Sequence, residues 1–123
     1  MNLYESGEDY LERILMLKLR NGKVRSIDIA EDMNFSKASV SIGMKKLREN
    51  EYISFDDSDY ITLTPKGEEV AKEIYERHLL LSDLLVKLGV DKKIAAQDAC
   101  KIEHDLTPES FEAIKKYYNE KIK

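Results

Sequence analysis

Ser36-Lys37-Ala38-Ser39-Val40-Ser41-Ile42-Gly43-Met44-Lys45-Lys46-Leu47-Arg48-Glu49-Asn50 runs directly into Glu51-Tyr52-Ile53-Ser54-Phe55-Asp56-Asp57-Ser58-Asp59-Tyr60-Ile61-Thr62-Leu63-Thr64, and the change of character at residue 51 decides the fold. Before it, Val40, Met44 and Leu47 recur at helical spacing behind Ser36, a residue type whose hydroxyl caps helix starts. After it, β-branched and aromatic residues flank an acidic run, Asp56-Asp57-Ser58-Asp59, which reads as strand, turn, strand. A hairpin straight after such a helix is a wing.

Working upstream, Asn34-Phe35 makes a short turn, and Ser26 is placed to cap a helix over residues 27–33 with Ile29, Ala30 and Met33 facing inward. Two short helices joined by a tight turn make a helix-turn-helix. Asn21-Gly22 closes an earlier helix, residues 5–20, whose stripe is Tyr10, Leu11, Ile14 and Leu17. Downstream, Thr64-Pro65-Lys66-Gly67 opens a long helix ending near Gly89, with Val70, Ile74, His78, Leu81 and Leu85 along one side. A fifth helix is expected at about residues 91–103, and Thr107-Pro108-Glu109 opens a sixth that runs to the end. The fold class expected is mainly α, a winged helix-turn-helix over residues 1–64 followed by a helical region over residues 65–123.

Composition narrows the function. A charged fraction of 36% with only 2 Pro and 5 Gly fits a mostly helical chain. No basic-then-apolar leader pattern is visible, and apolar runs such as Leu79 to Leu81 are far too short to span a bilayer, so a cytoplasmic protein without membrane attachment is expected. The single Cys100 cannot form an intramolecular disulfide, leaving it as a buried thiol, a metal ligand or a redox-sensitive group. The net charge of −4 argues against indiscriminate nucleic-acid binding, yet residues 20–50 carry seven basic side chains against four acidic ones. The positive charge is concentrated on the helix-turn-helix.

In that geometry the start of the third helix enters the major groove of double-stranded DNA. Ser36, Lys37, Ala38, Ser39 and Ile42 are the candidates for base edges, Ile42 through contact with a thymine methyl alone. Ser41, Lys45 and Lys46 are candidates for phosphates, and Arg25, just ahead of the second helix, is another. For the lysines the alternative is a plain solvated face. The wing carries Glu51, Asp56, Asp57 and Asp59 and no positive charge, so it either swings away from the phosphates or limits affinity. Cation binding by the three aspartates ranks below a hydrophilic turn, because the full calcium-loop pattern is missing.

A second constellation lies downstream. In Cys100-Lys101-Ile102-Glu103-His104 a thiol, a carboxylate and an imidazole stand at i, i+3 and i+4, one helix face, while Asp9 and Glu12 form another i, i+3 pair. His78 sits midway along the long helix. These are ligand types for a transition metal. Each also has an ordinary reading: Cys100 as a small core hydrophobe, His78 as a core histidine, the acids as helix-end residues. Spacing permits chelation without requiring it.

Glu8-Asp9-Tyr10-Leu11-Glu12, Ser39-Val40-Ser41 within the helix-turn-helix, Leu63-Thr64-Pro65-Lys66-Gly67, Arg77-His78 and Cys100-x-x-Glu103-His104 together resemble, in order and over nearly the whole chain, the diphtheria toxin repressor family of metal-dependent transcriptional regulators. The likeness is greatest to its short, manganese-type members, which have no C-terminal SH3-like domain, and none is expected here. What the resemblance implies is a homodimeric repressor of iron or manganese homeostasis that binds a DNA operator with a divalent metal as co-repressor, the helical region serving metal binding and dimerisation. Asp9, Glu12, His78, Cys100, Glu103 and His104 fall on the family's ligand positions. The set is a hybrid: Asp9 is of the manganese type, Cys100 of the iron type, and Ser82 and Ala96 replace the Glu and His of an iron-type ancillary site. Thiolate is a soft ligand, so Fe(II) is expected ahead of Mn(II). Around Leu81, Leu84 and Leu85 the long helix has an apolar stripe that serves either a dimer or the internal core.

Two rivals make different predictions. A winged-helix regulator answering to a small organic ligand or a partner protein would bind DNA regardless of chelators. A metallohydrolase or redox enzyme would need a phosphate-cradling loop or a nucleophile with its base, and the chain offers neither, so no enzymatic activity is expected.

Overall fold

The computed structural model describes residues 5–122. Six α-helices and one hairpin follow in the order α1 Glu5–Asn21, α2 Ser26–Met33, α3 Lys37–Glu49, β1 Ile53–Phe55, β2 Ile61–Leu63, α4 Pro65–Lys87, α5 Lys92–Ile102 and α6 Pro108–Tyr117, with a π-helical turn over Tyr118–Ile122. Among the described residues no helix is long and apolar enough to cross a membrane. The chain divides into two compact units, one up to Lys72 and one from Glu73, so the division falls inside α4.

The first unit is a winged helix-turn-helix. Tyr10, Leu11, Ile14 and Leu17 of α1 are buried with Val24, Ile29, Ala30, Val40, Met44, Leu47, Tyr52, Ile53, Ile61 and Ala71 in one core. Fully burying a side chain of this size stabilises by about 1.5–3 kcal/mol. Ala71 explains why the first turns of α4 belong here: it is fully buried in this core, and Val70 packs on its edge. Two glycines allow close approach. A Cβ on Gly43 would lie 2.5 Å from the Tyr10 ring, and one on Gly67 would lie 2.0 Å from the Tyr52 carbonyl oxygen. Arg13 and Arg20 both pair with Asp32, at 3.0 and 3.6 Å, tying α1 to α2.

The helix starts differ in how they are capped. Ser36 caps α3 as its sequence implies, its hydroxyl accepting the Ser39 N–H at 3.1 Å. Ser26 does not cap α2; it is the first helical residue, and the Asp28 carboxylate instead accepts the N–H of the cap residue Arg25 at 2.8 Å. An acid three residues into the helix supplies the reciprocal half of a capping box without a serine before it. The α2–α3 turn is closed by Asn34 in the left-handed region, φ 56°, which asparagine tolerates better than most residues.

The wing is antiparallel, with Ile53 opposite Leu63, Ser54 opposite Thr62 and Phe55 opposite Ile61. Asp56 Oδ1 accepts N–H bonds from Ser58 at 2.8 Å and Tyr60 at 3.0 Å, so this acid organises the turn.

In the second unit Ile74, Leu81, Ala95, Ala99 and Phe111 are buried. Asp91 caps α5 through the Lys93 and Ile94 N–H groups, and Thr107 caps α6 through that of Ser110. Lys115 on α6 pairs with Glu76 on α4, and the Tyr118 hydroxyl donates to Asp83.

Candidate functional site

The second unit gathers three of the sequence-derived ligand residues at one point. His78, on α4, presents Nδ1 at 3.0 Å from Glu103 Oε2 and 3.6 Å from Cys100 Sγ. One ligand atom from each of the three lies within 4.8 Å of the others. The imidazole and Glu103 are buried, and Cys100 is half-buried. The Cys100 sulfur and then the Glu103 carboxylate hold the imidazole proton so firmly that the His78 pKa is pushed up to about 10.

Helix α5 stops at Ile102, one residue short of the sequence expectation. Glu103 is its C-cap, and His104 sits in the following turn, closed by the Asp105 N–H on the Ile102 carbonyl at 3.0 Å. The bend brings the His104 side chain, which is almost completely buried, to 3.4 Å between its Nε2 and Glu103 Oε1. Glu103 Oε1 is buried and accepts no hydrogen bond among the described residues. A carboxylate oxygen removed from water without such a bond costs several kcal/mol, on the order expected for a buried ion, unless a cation answers it. Sulfur, imidazole nitrogen and carboxylate oxygen converging on a buried carboxylate fit a divalent transition cation. Asp9 and Glu12 belong to the first unit, on α1; Asp9 is half-buried and Glu12 buried.

The DNA-facing candidates share one helix. Ser36, Lys37, Ala38, Ser39, Ser41, Ile42, Lys45 and Lys46 are all exposed, while Val40, Met44 and Leu47 take the opposite face into the core. Ile42 is 59% exposed, so its apolar side chain is free to meet a partner surface. The Ser36 hydroxyl is already committed, accepting the Ser39 N–H and donating to the Ser39 hydroxyl.

Arg25 is turned toward the wing: its Nε donates to the Ser58 carbonyl at 3.1 Å and its guanidinium lies 4.2 Å from the centre of the Tyr60 ring. Lys23 approaches the same ring at 4.9 Å. The acidic wing therefore has positive neighbours supplied by the α1–α2 loop, which counting wing residues alone misses. A shallow groove between the start of α2, α3 and the wing is lined by Arg25, Ser26, Ser41, Arg48, Phe55 and the acidic Asp59. Arg48 joins the candidates that the sequence singles out: its spacing from Ser41 and Lys45, i+7 and i+3, puts it on their face.

A winged helix-turn-helix with an exposed basic recognition helix, and a helical unit that gathers a thiol, an imidazole and a carboxylate together, define a metal-responsive DNA-binding regulator. Known families agree with that class. Residues 2–58 match the N-terminal DNA binding domain of the iron dependent repressors, and residues 64–121 match their metal binding and dimerisation domain. The chain is 40% identical over 121 residues to an uncharacterised helix-turn-helix-type transcriptional regulator of Methanocaldococcus jannaschii, covering 97% of this chain and 96% of that one. It is 37% identical over 109 residues to the transcriptional regulator MntR of Lysinibacillus sphaericus, covering 89% of this chain and 78% of that one. Among solved structures it is similar to the manganese regulator SloR, with a TM-score of 0.80 and 30% identity over 97% of this chain and 55% of that one, so it spans about half of that protein's length. The chain belongs to the iron-dependent repressor family, the diphtheria toxin repressor family of metal-dependent transcriptional regulators. That family regulates transcription through DNA-binding and dimerisation domains and does not consist of enzymes.

Proposed function

We propose that this chain represses genes of iron or manganese homeostasis in the cytoplasm, with Fe(II) ahead of Mn(II) as co-repressor, and that its donor set is Asp9, Glu12, His78, Cys100, Glu103 and His104. The observation that carries the reading is the buried Glu103 carboxylate, with His78 Nδ1 at 3.0 Å from one oxygen and no hydrogen bond on the other. Bound there, a divalent cation supplies the positive charge that lets clustered acids and a thiol pack together. The chain's own residues do the rest. His78, Cys100, Glu103 and His104 offer donors from the dimerisation domain, and Asp9 and Glu12 offer them from α1, the helix against which Gly43 of the recognition helix packs through Tyr10. Without the cation, repulsion among these groups loosens α1; with it, the ordered arrangement is favoured because the ion binds that state better.

Lys37, Ala38, Ser39 and Ile42 then meet base edges, with Ser36 as their cap, while Ser41, Lys45, Lys46 and Arg48 meet phosphates. Arg25 meets phosphate from the wing side, where Tyr60 and Ser58 hold it. In a homodimer the two recognition helices sit about one DNA turn apart, ~34 Å, and the exposed Leu79, Val86 and Leu88 of the α4 region suit burial between copies.

The test is an anaerobic titration of the metal-free protein with Fe(II), Mn(II) and Zn(II), reading stoichiometry together with binding to DNA from the protein's own promoter. Saturable binding that switches on DNA affinity is expected, with Fe(II) acting at the lowest free concentration. DNA binding that ignores both metal and chelator would overturn the proposal and favour a regulator of another ligand.

A further inference from the structure

Beside the ligand cluster lies a buried cation that the donor set does not use. The Arg77 side chain is buried, and one of its nitrogens, Nη1, donates both to the Glu103 carbonyl at 3.0 Å and to the Leu106 carbonyl at 2.8 Å. Its guanidinium also lies 5.1 Å from the centre of the Phe111 ring and 3.9 Å from the Glu73 carboxylate. The last carbonyls of a helix have no partners within it, and its C-terminal end favours a positive charge. Arg77 answers both needs at the end of α5, across 26 residues of chain.

Its position in sequence gives the contact a further meaning. Arg77 immediately precedes His78, so one turn of α4 carries both the imidazole and the clamp on the Glu103 main chain. Glu103 is thus held twice from α4, by its carbonyl through Arg77 and by its carboxylate through His78. We infer that Arg77 is a positioning residue of the metal centre: it fixes where α5 ends, and with it the placing of the Glu103 and His104 donors relative to His78. This inference rests on the metal reading proposed above.

Groups that orient metal ligands typically change affinity by roughly 10–100-fold when removed. Co(II) is the probe, since thiolate-to-cobalt charge-transfer absorption reports Cys100 directly. In the full chain, Arg77→Met is expected to weaken Co(II) binding by about 10–100-fold and to alter that absorption. Arg77→Lys, with a single point of donation at the same end of the helix, is expected to recover part of the affinity. Phe111→Leu, which removes the ring beneath the guanidinium and leaves its carbonyl bonds, is expected to lower thermal stability with the cobalt spectrum unchanged. If Arg77→Met does not fold, Arg77→Lys decides, and unchanged affinity in it overturns the inference. Unchanged Co(II) affinity and spectrum in Arg77→Met, or an equal loss in Phe111→Leu, would do so as well. Failure of the parent reading is a separate result: the unmodified protein would then show no thiolate-to-cobalt absorption at all.

Discussion

The two units bury different chemistry. The first closes over fourteen buried apolar side chains, from Tyr10 to Ala71, and among the described residues its one buried carboxylate is Glu12, a proposed ligand. The second buries five apolar side chains among the described residues, and among these it places Arg77, His78 and Glu103. A dry core holds its shape by itself, because apolar burial asks for no partner. A core containing a cation, an imidazole and a carboxylate is stable only when each is answered, and Glu103 Oε1 is not answered by a hydrogen bond. The difference separates a unit that matches a DNA-binding domain from a unit whose buried ionisable groups need partners.

The sharpest way to break this contrast is at Glu103. Glu103→Ala is expected to abolish metal-stimulated operator binding while circular dichroism shows helical content retained, and His104→Ala should behave alike. Metal-dependent DNA binding surviving in either variant would remove that residue from the donor set.

Next in size is a cut into the dry core. Ile14→Ala or Leu47→Ala, both fully buried, should cost about 2–5 kcal/mol in denaturant unfolding, and by the same amount in metal-free protein. A loss under about 1 kcal/mol would mean the site collapses to fill the gap.

A smaller, continuous effect comes from protons. His78 keeps its proton up to about pH 10 in the metal-free protein, whereas a metal takes the neutral ring. Binding at neutral pH therefore releases a proton, and metal affinity should rise with pH by up to about tenfold per unit below that value. The same shift means that the protonated ring's stabilisation of the metal-free unit is full below its ordinary pKa of 6.5 and fades as pH rises through about 10. Calorimetric titration in buffers of different ionisation enthalpy counts the proton; a count of zero would leave His78 outside the site.

The smallest effect expected is at a helix start. Ser36→Ala removes the α3 cap and should cost about 1 kcal/mol, whereas Ser26→Ala should leave stability within about 0.5 kcal/mol, since Asp28 closes that end of α2. Equal losses at the two serines would contradict the capping geometry.

Much of the first unit is legible in the sequence because helical and strand periods report burial directly. Tyr10, Leu11, Ile14 and Leu17 face inward as their spacing requires, and Ser36 caps as its type suggests. Ser26 misleads because a cap is set by the backbone conformation of the residue before the helix, and that residue is Arg25. The end of α5 is misread by one residue for a related reason. Nothing in Cys100-Lys101-Ile102-Glu103-His104 says that Arg77, far away in the chain, takes the Glu103 carbonyl. Arg25 and Arg77 look alike as letters, yet one lies exposed against Tyr60 and the other is buried beneath α5. Long-range partners of long cationic side chains are what a local pattern cannot encode. The proposed ligand residues, by contrast, are visible in the sequence because a thiol, a carboxylate and an imidazole stand at i, i+3 and i+4.

The most direct test of the account is the affinity of the full chain for its own promoter DNA at fixed free Fe(II), with and without a chelator, under anaerobic conditions. Tight binding with Fe(II), lost on chelation and restored by added metal, is the predicted result. Equal affinity in both conditions would contradict it.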